Sequence, residues 1–342
     1  MTILAAIVLF GVLITVHELG HFLAAKGTGM QVTEFSIGFG PKVFQKQAGE
    51  TLYSLRLVPL GGYNRITGME PGEAVTPRGF NGRPMWARML VILAGPCMNF
   101  LLPFLIFFGV FAVKGLALPV DEPVVGSLME GYPGAEAGLQ VGDRLVSING
   151  QPLEGQPLER WNEINSLIQE NGPADGKLVI QRQGKRQEVT LKPRYDGESK
   201  RFLIGVRPRI EHRSLSLGES LKTAAFSVIR ITGAMVDGLR MMVTGKVSAE
   251  IAGPIGVAHM AGDVAAQGAI PYLEFMAFLS LNLAVLNLVP IPALDGGQFL
   301  VLVVEALLGH ALAPRAKEII QMIGVACIIA LTVFATMHDL LQ

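Results

Sequence analysis

The chain alternates long apolar runs with charged stretches, and the runs set its architecture. Residues 1–15, MTILAAIVLFGVLIT, hold no charge, and the run continues into VHELGH at 16–21, broken only by Glu18. Three further stretches, 89–113, 275–294 and 319–337, contain no Asp, Glu, Lys or Arg. Each is about 20 residues, enough at about 1.5 Å per residue to cross a bilayer's hydrocarbon layer. The pattern predicts a polytopic α-helical membrane protein with four spanning helices.

Between the first two runs, TLYSLRLVPLGGYNRITGM (51–69) alternates polar and apolar positions around Gly61-Gly62. Period two predicts a β-hairpin or twisted strand pair there, with Tyr53, Leu55 and Leu57 on one face. Either that face dips into the membrane against protein or the hairpin stands in solvent; the pattern allows both. Residues 115–210 change character, with frequent charges, short alternating stretches and Gly-Asp and Asn-Gly turn signals. They predict an α/β module held outside the bilayer, with an amphipathic helix at 159–169 presenting Trp161, Ile164, Leu167 and Ile168, and with RFLIGVRP (201–208) as a last strand. Residues 219–243 are apolar at helical spacing, but Arg230, Asp237 and Arg240 interrupt them. Three charges predict an interfacial helix; packing on the module is the other reading.

Composition agrees with a membrane protein: of 342 residues, 50% are hydrophobic and 16% charged, with mean hydropathy +0.44. Formal net charge is +0 and no basic cluster occurs, which argues against a nucleic-acid partner. Cys97 and Cys327 lie inside apolar runs and suggest neither a disulfide framework nor a CxxC zinc site. The first run has no basic residue ahead of it and keeps polar residues at its end, so it reads as a span and not as a cleaved signal peptide. Lys26, Arg78, Arg83, Arg88, Arg315 and Lys317 flank one side of the predicted spans, whereas Lys114 alone flanks the other. The positive-inside rule then puts the first set in the cytoplasm, and both termini and the 115–210 module outside.

The candidate chemistry sits in VHELGH. On a helix, i and i+4 share a face, so His17 and His21 can offer two imidazoles to one metal ion, and Glu18 beside them can take a proton from water. A hydrogen-bonded cluster that only fixes helix packing is the plainer alternative. Catalytic zinc commonly takes three protein ligands and leaves one position open. Asp295, in NLVPIPALDGG (287–297), supplies the third at matching depth, because the first and third runs both point inward. Pro290 and Pro292 bar a regular helix there, and Gly296-Gly297 suggest tight turns. One Zn2+ per chain is expected.

PGAEAGLQVGDRLVSING (133–150) resembles bacterial PDZ domains. That resemblance implies a peptide groove in which Leu203, Ile204 and Gly205 form the loop that holds a peptide's carboxyl end. With HELGH, LDGG and a PDZ module between helices two and three, nearly the whole chain resembles the site-2 protease family of intramembrane zinc metalloproteases. The similarity is to the bacterial branch that regulates sigma factors, in a version with a single PDZ domain. It implies His17, His21 and Asp295 as zinc ligands and Glu18 as catalytic base. Gly61, Gly62 and Tyr63 would form the tip of a membrane-re-entrant β element, and Asn287 would hold an extended substrate. Gly95, Pro96, Asn99 and Phe100 match the family's helix-two motif, and GPIG at 253–256 also matches.

The implied domains are an N-terminal membrane part (1–114), the PDZ domain (115–210), an interfacial region (211–270) and a C-terminal membrane part (271–342). The implied activity is cleavage of single-pass transmembrane segments in a bacterial inner membrane. Its substrates would be anti-sigma factors already cut outside by another protease, or remnant signal peptides. A PDZ-based membrane scaffold without proteolysis is the alternative. Within the protease reading, the module either captures new carboxyl ends or excludes bulky ectodomains.

Overall fold

The computed structural model describes residues 2–70, 72–154, 156–197, 200–245 and 253–341. The chain forms two compact units, Met1–Val110 with Leu221–Gln342, and Phe111–Ser220. Along the chain run α1 (Thr2–Gly27), β1 (Val32–Ala48), β2 (Thr51–Ile66) and α2 (Met85–Lys114). The second unit holds β3 (Leu116–Pro119), β4 (Val125–Leu128), α3 (Pro133–Glu136), β5 (Arg144–Ile148), β6 (Gln151–Pro152) and α4 (Pro157–Asn171). It continues through β7 (Gly176–Arg182), β8 (Lys185–Leu191), β9 (Arg194–Asp196), β10 (Arg201–Leu203), β11 (Val206–Pro208) and β12 (Ile210–Arg213). The chain then closes with α5 (Leu217–Val243), α6 (Pro254–Ala266), α7 (Ala269–Leu288), α8 (Asp295–Leu308) and α9 (Pro314–Leu341).

Among the described residues four helices, α1, α2, α7 and α9 from Pro314 to Met337, are long and apolar enough to cross a membrane, as the sequence predicts. The third apolar run is not one helix: α7 stops at Leu288, ahead of Pro290 and Pro292, and α8 restarts at Asp295. Helix α6 was not expected, because 13 residues are too few to span. It packs along α1, where Ala261 meets Leu9, Leu13 and Met276 in a shared core.

The β element differs from the expected hairpin. Its turn is at Gly49-Glu50, with Gly49 at φ +59, whereas Gly61-Gly62 is a bend inside β2, Gly61 taking φ +133. The alternation of β1 is hidden by Gly38, Gly40 and Pro41. One edge of its first half pairs with the end of β2 (Val32↔Ile66, Ile37↔Gly62). Its other edge faces the start of β2 (Glu34↔Leu52, Ile37↔Leu55), with both numberings rising together. The second half closes the hairpin, Ala48↔Thr51. The two long strands thus make a sheet of four segments in the order 62–66, 32–39, 52–58, 42–48. Tyr53, Leu55 and Leu57 share an exposed face, as expected. Edge-on packing of Phe22 against Phe35 and Tyr53 ties the sheet to α1.

In the second unit β6-β5-β7-β8 form an antiparallel sheet, and β4 with β11, β3 with β12 and β9 with β10 form antiparallel pairs. Trp161, Ile164 and Ile168 of α4 close a core with Leu145, Ile148, Leu178 and Ile180. The start of α4 is fixed by a reciprocal capping box between Gln156 and Glu159. The expected single strand at 201–208 is two, broken at Ile204-Gly205. Gly205 takes φ +71 with Tyr132 packed where a Cβ would lie, and the buried Ile204 carbonyl accepts a hydrogen bond from Gly134 N at 2.8 Å.

The module also carries a buried charge. Asp143 accepts hydrogen bonds from Arg182 Nε (2.7 Å), Arg182 Nη2 (2.6 Å) and Gln140 N (2.8 Å). Burial pushes its carboxyl up, but the Arg182 and Gln140 bonds outweigh burial and hold it below the ordinary value of 3.8. A depressed carboxylate contributes stability above that ordinary value and loses it as pH falls through the folded value. Asp143→Asn is therefore expected to destabilise this unit at neutral pH, because it removes the carboxylate that Arg182 and Gln140 N donate to. Hydrogen exchange of the full chain, read in β5 and β7, should show faster opening for the variant at pH 7 and a smaller difference in strong acid.

Candidate metal centre

Helix α1 delivers the two histidines of HELGH into the interior of the first unit. His17 and His21 are both 9% exposed, although the helix around them is apolar. Two glycines make this placement possible. A Cβ on Gly20 would run into the backbone of Ala94, so α1 and α2 touch there through a residue without a side chain. A Cβ on Gly95 would collide with the His21 imidazole and come within 2.8 Å of His17 Cε1. That glycine of α2 clears the space both rings occupy.

The third group arrives from the break after α7. Asp295 opens α8, 9% exposed, and its Oδ2 lies 3.1 Å from His17 Nε2 and 3.5 Å from His21 Nε2. The two Nε2 atoms are 3.2 Å apart. The glycines after Asp295 do not turn as expected. Neither Gly296 nor Gly297 takes a positive φ; Ala293 does, at +75. Gly296 and Gly297 stay small because a Cβ would strike the carbonyls of Leu288 and Ile291, on which the first turn of α8 sits.

Each imidazole is held from behind. His21 Nδ1 lies 2.7 Å from the Val91 carbonyl and so donates to it, which leaves the Nε2 lone pair toward Asp295. His17 Nδ1 lies 3.2 Å from the side-chain amide of Asn99, a fully buried residue of α2. Turning that amide over lets its oxygen, otherwise a buried acceptor without a partner, accept from His17 Nδ1 and frees Nε2 in the same way. Ser280 of α7 donates to the Asn99 carbonyl at 2.8 Å and links the third helix to the same point.

With both Nδ1 atoms turned to α2, the two Nε2 atoms and the Asp295 carboxylate oxygen point at one spot, as the ligands of a bound cation do. Asp295 Oδ2 is buried and has no hydrogen-bond partner among the described residues. Ligands at about 2.1 Å from a tetrahedral ion stand about 3.4 Å from one another, which matches the three separations here. The candidate ligand atoms all lie within 4.8 Å of each other, and no other such group of three occurs among the described residues. The donor set suits zinc.

Glu18, half-buried, shares a cavity of about 450 Å³ with these three side chains. Tyr63, Asn64 and Asn287 also line it. Asn64 of β2 donates to the Glu18 carboxylate and to the Glu18 backbone carbonyl, both at 2.7 Å. Tyr63 is steadied by Arg56, which donates to its hydroxyl at 2.5 Å and to Glu34 at 2.9 Å. Burial pushes the Glu34 carboxyl up, yet Arg56, Ser54, Tyr63 and Lys42 hold it at about 2. An apolar recess of about 260 Å³, walled by Phe80, Ile92, Val301 and Ile320, adjoins the cavity through Met69, Ala293, Gln298 and Gln321.

Residues 5–331 match the family model of peptidase family M50. The chain belongs to peptidase family M50. A protein of Fusobacterium nucleatum provisionally named a zinc metalloprotease is 38% identical over 307 residues, 89% of this chain and 88% of that one. The regulator of sigma-W protease RasP of Bacillus subtilis is 29% identical over 420 aligned positions, covering 99% of this chain and 98% of its own length. Among solved structures, the PDZ domain of an SdrC-like protein of Listeria monocytogenes is similar at 19% identity with a TM-score of 0.23, covering 26% of this chain and 87% of that one. The M50 protein described here is thus a multi-pass membrane zinc metalloprotease.

Of the residues singled out from sequence, Glu18, His17, His21, Asp295, Tyr63 and Asn287 meet at one cavity. Gly62 backs it, a Cβ there lying 3.2 Å from Glu18 Cγ, whereas Gly61 packs on Phe39. Leu203, Ile204 and Gly205 belong to the other unit and are not among the lining residues. Sequence reasoning missed Asn64 and the Val91 carbonyl, and it named Asn99 as a motif residue without its contact to His17. The place of Asn99 as a lone polar residue deep in an apolar run was the available signal for that contact. Gly95→Ala puts a methyl group into the imidazole space, and metal analysis of the purified protein is expected to find zinc lowered tenfold or more while the chain remains folded by circular dichroism.

Proposed function

We propose that this M50 protease cleaves single transmembrane helices within the bilayer, near their cytoplasmic end. The observation that carries the reading is the convergence of His17, His21 and Asp295 between helices long and apolar enough to span. Those three residues would hold zinc. The ion, when bound, supplies a Lewis acid that acidifies water and polarises a peptide carbonyl. Glu18 takes the proton of the attacking water and returns it to the leaving amine. Asn99 and the Val91 carbonyl keep both imidazoles in the tautomer that leaves Nε2 free.

A helical substrate has its amides already bonded, so it opens before it reacts. The segment 62–66 pairs with β1 on one edge only among the described residues. An unwound substrate adds there as a strand, which keeps its polar groups satisfied, and Asn287 offers donor and acceptor to the same backbone. Tyr53, Leu55 and Leu57 then lie against membrane or substrate, which favours the membrane-dipping reading of the sheet over a solvated one.

Basic residues gathered at one end support a cytoplasmic position for the sheet and an extracytoplasmic one for the PDZ module and both termini. The PDZ module works as a size filter. Gly205, fixed at positive φ against Tyr132, and Ile204, bonded to Gly134, make a closed, rigid loop, which fits volume exclusion better than adaptable capture. The substrates are single-pass proteins already trimmed outside. Anti-sigma factors are the first candidates, since the Bacillus subtilis relative is named for sigma-W regulation; remnant signal peptides are the second.

Glu18→Gln is expected to lower cleavage of a model transmembrane substrate roughly 10²- to 10⁴-fold with zinc retained, whereas His17→Ala and Asp295→Ala should lose both zinc and activity. Equal zinc in all four proteins would refute the ligand set. Replacing residues 121–210 with a flexible bridge should admit substrates that keep their ectodomains. If the deletion still refuses them while wild type binds a trimmed C-terminal peptide at the module, capture is the correct role. Reporter fusions at Gln151 and at the C-terminus should both read extracytoplasmic.

A further inference from the structure

The hydrogen bonds from Asn64 to Glu18 assign a role to a strand residue that no motif marks. Asn64 faces α1 from the end segment of β2, and both of its amide protons are spent on one residue: one on the Glu18 carbonyl and one on Oε2, each at 2.7 Å. Two strand positions earlier on the same face is Gly62, where a Cβ would lie 3.2 Å from Glu18 Cγ and 3.8 Å from Ile14 Cγ2. Gly62 leaves the space in which the Glu18 side chain stands, and Asn64 fixes its carboxylate in that space. The Asn64 Oδ1 is buried without a hydrogen-bond partner among the described residues, so packing of the sheet does not account for this amide.

We propose that Asn64 is a positioning residue that locks the Glu18 carboxylate in one rotamer facing the His17–His21–Asp295 cluster, so that the strand edge and the proton-transfer group move as one piece. The proposal rests on the reading of Glu18 as the base. A free glutamate carboxylate on three rotatable side-chain bonds samples several orientations; the bond to the Glu18 carbonyl anchors the Asn64 amide, and its second bond selects one orientation of the carboxylate. Asn suits the task because it donates without adding charge beside the carboxylate. The Oδ1 is left as an acceptor for water in the cavity.

The test uses the full chain in lipid nanodiscs with a fluorogenic single-pass peptide. Asn64→Leu keeps the volume and removes both donors; Asn64→Asp keeps the shape and puts a second carboxylate against Glu18. Both should lower kcat ten- to a hundredfold, with KM within twofold and zinc content unchanged. In a Glu18→Gln background, followed over long incubation, Asn64→Leu should cause no further loss, because the group it positions is gone. An unchanged kcat in either folded variant overturns the proposal. So does a rise in KM at constant kcat, which would make Asn64 a substrate contact, or an equal loss in the Glu18→Gln background, which would make its role structural. If Asn64→Leu does not fold, Asn64→Asp decides alone. Wild-type cleavage by Glu18→Gln itself would remove the base assignment and the proposal with it, and is read separately from the Asn64 results.

Discussion

A polar side chain inside an apolar helix has no water to satisfy it, and lipid offers nothing in its place, so every nitrogen and oxygen of such a group has to find protein or an ion. HELGH places two imidazoles and a carboxylate under that constraint within five residues of α1. The surrounding structure answers it atom by atom. Val91 and Asn99 of α2 face the two Nδ1 atoms, Asp295 faces the two Nε2 atoms, and Asn64 faces the carboxylate. Helices α2, α7 and α8 and the β sheet are therefore bound to one short segment of α1.

Close approach is the second condition, and glycine supplies it. Gly20, Gly95, Gly296 and Gly297 each stand where a Cβ would strike backbone or an imidazole. Without a hydrophobic drive between helices in lipid, small residues at the crossings let dispersion and hydrogen bonds hold the bundle. The same feature explains why Asp295 begins a helix: α8 starts directly on the carbonyls of the preceding loop, and its first turn has room only for Gly.

At the other end of α8 a buried charge repeats the rule. Glu305, 2% exposed, accepts from Lys317 at 2.6 Å and from Leu312 N at 2.9 Å, and Arg88 stands 3.6 Å away. This joins the start of α2, the end of α8 and the start of α9. Ten residues separate Glu305 from Asp295, about 15 Å of helix, so α8 is pinned at both ends: by the His17–His21–Asp295 cluster at its start and by the ion pairs near its end. Arg88 and Lys317, two of the basic residues that flank the apolar helices, thus also hold the bundle together.

The sequence by itself determined the four long apolar helices, the separate α/β module, the amphipathic face of α4 and the three side chains, His17, His21 and Asp295, that converge. Each of these is a periodic or composition signal, or a spacing within one helix, that survives without knowledge of neighbours. Tertiary structure decided the rest. The hairpin turn lies at Gly49 and not at Gly61-Gly62, because β1 pairs on both edges and its alternation is broken by Gly38, Gly40 and Pro41. The strand expected at 201–208 breaks because the Ile204 carbonyl is taken by Gly134 and Gly205 by Tyr132. Gly296 and Gly297 are small for contact and not for turning. Asn64 reads as an ordinary polar residue in the sequence, and Asn99 as a motif residue whose partner is unknown, since a hydrogen bond between residues 46 or 82 positions apart leaves no trace in local pattern and exists only once the elements are packed.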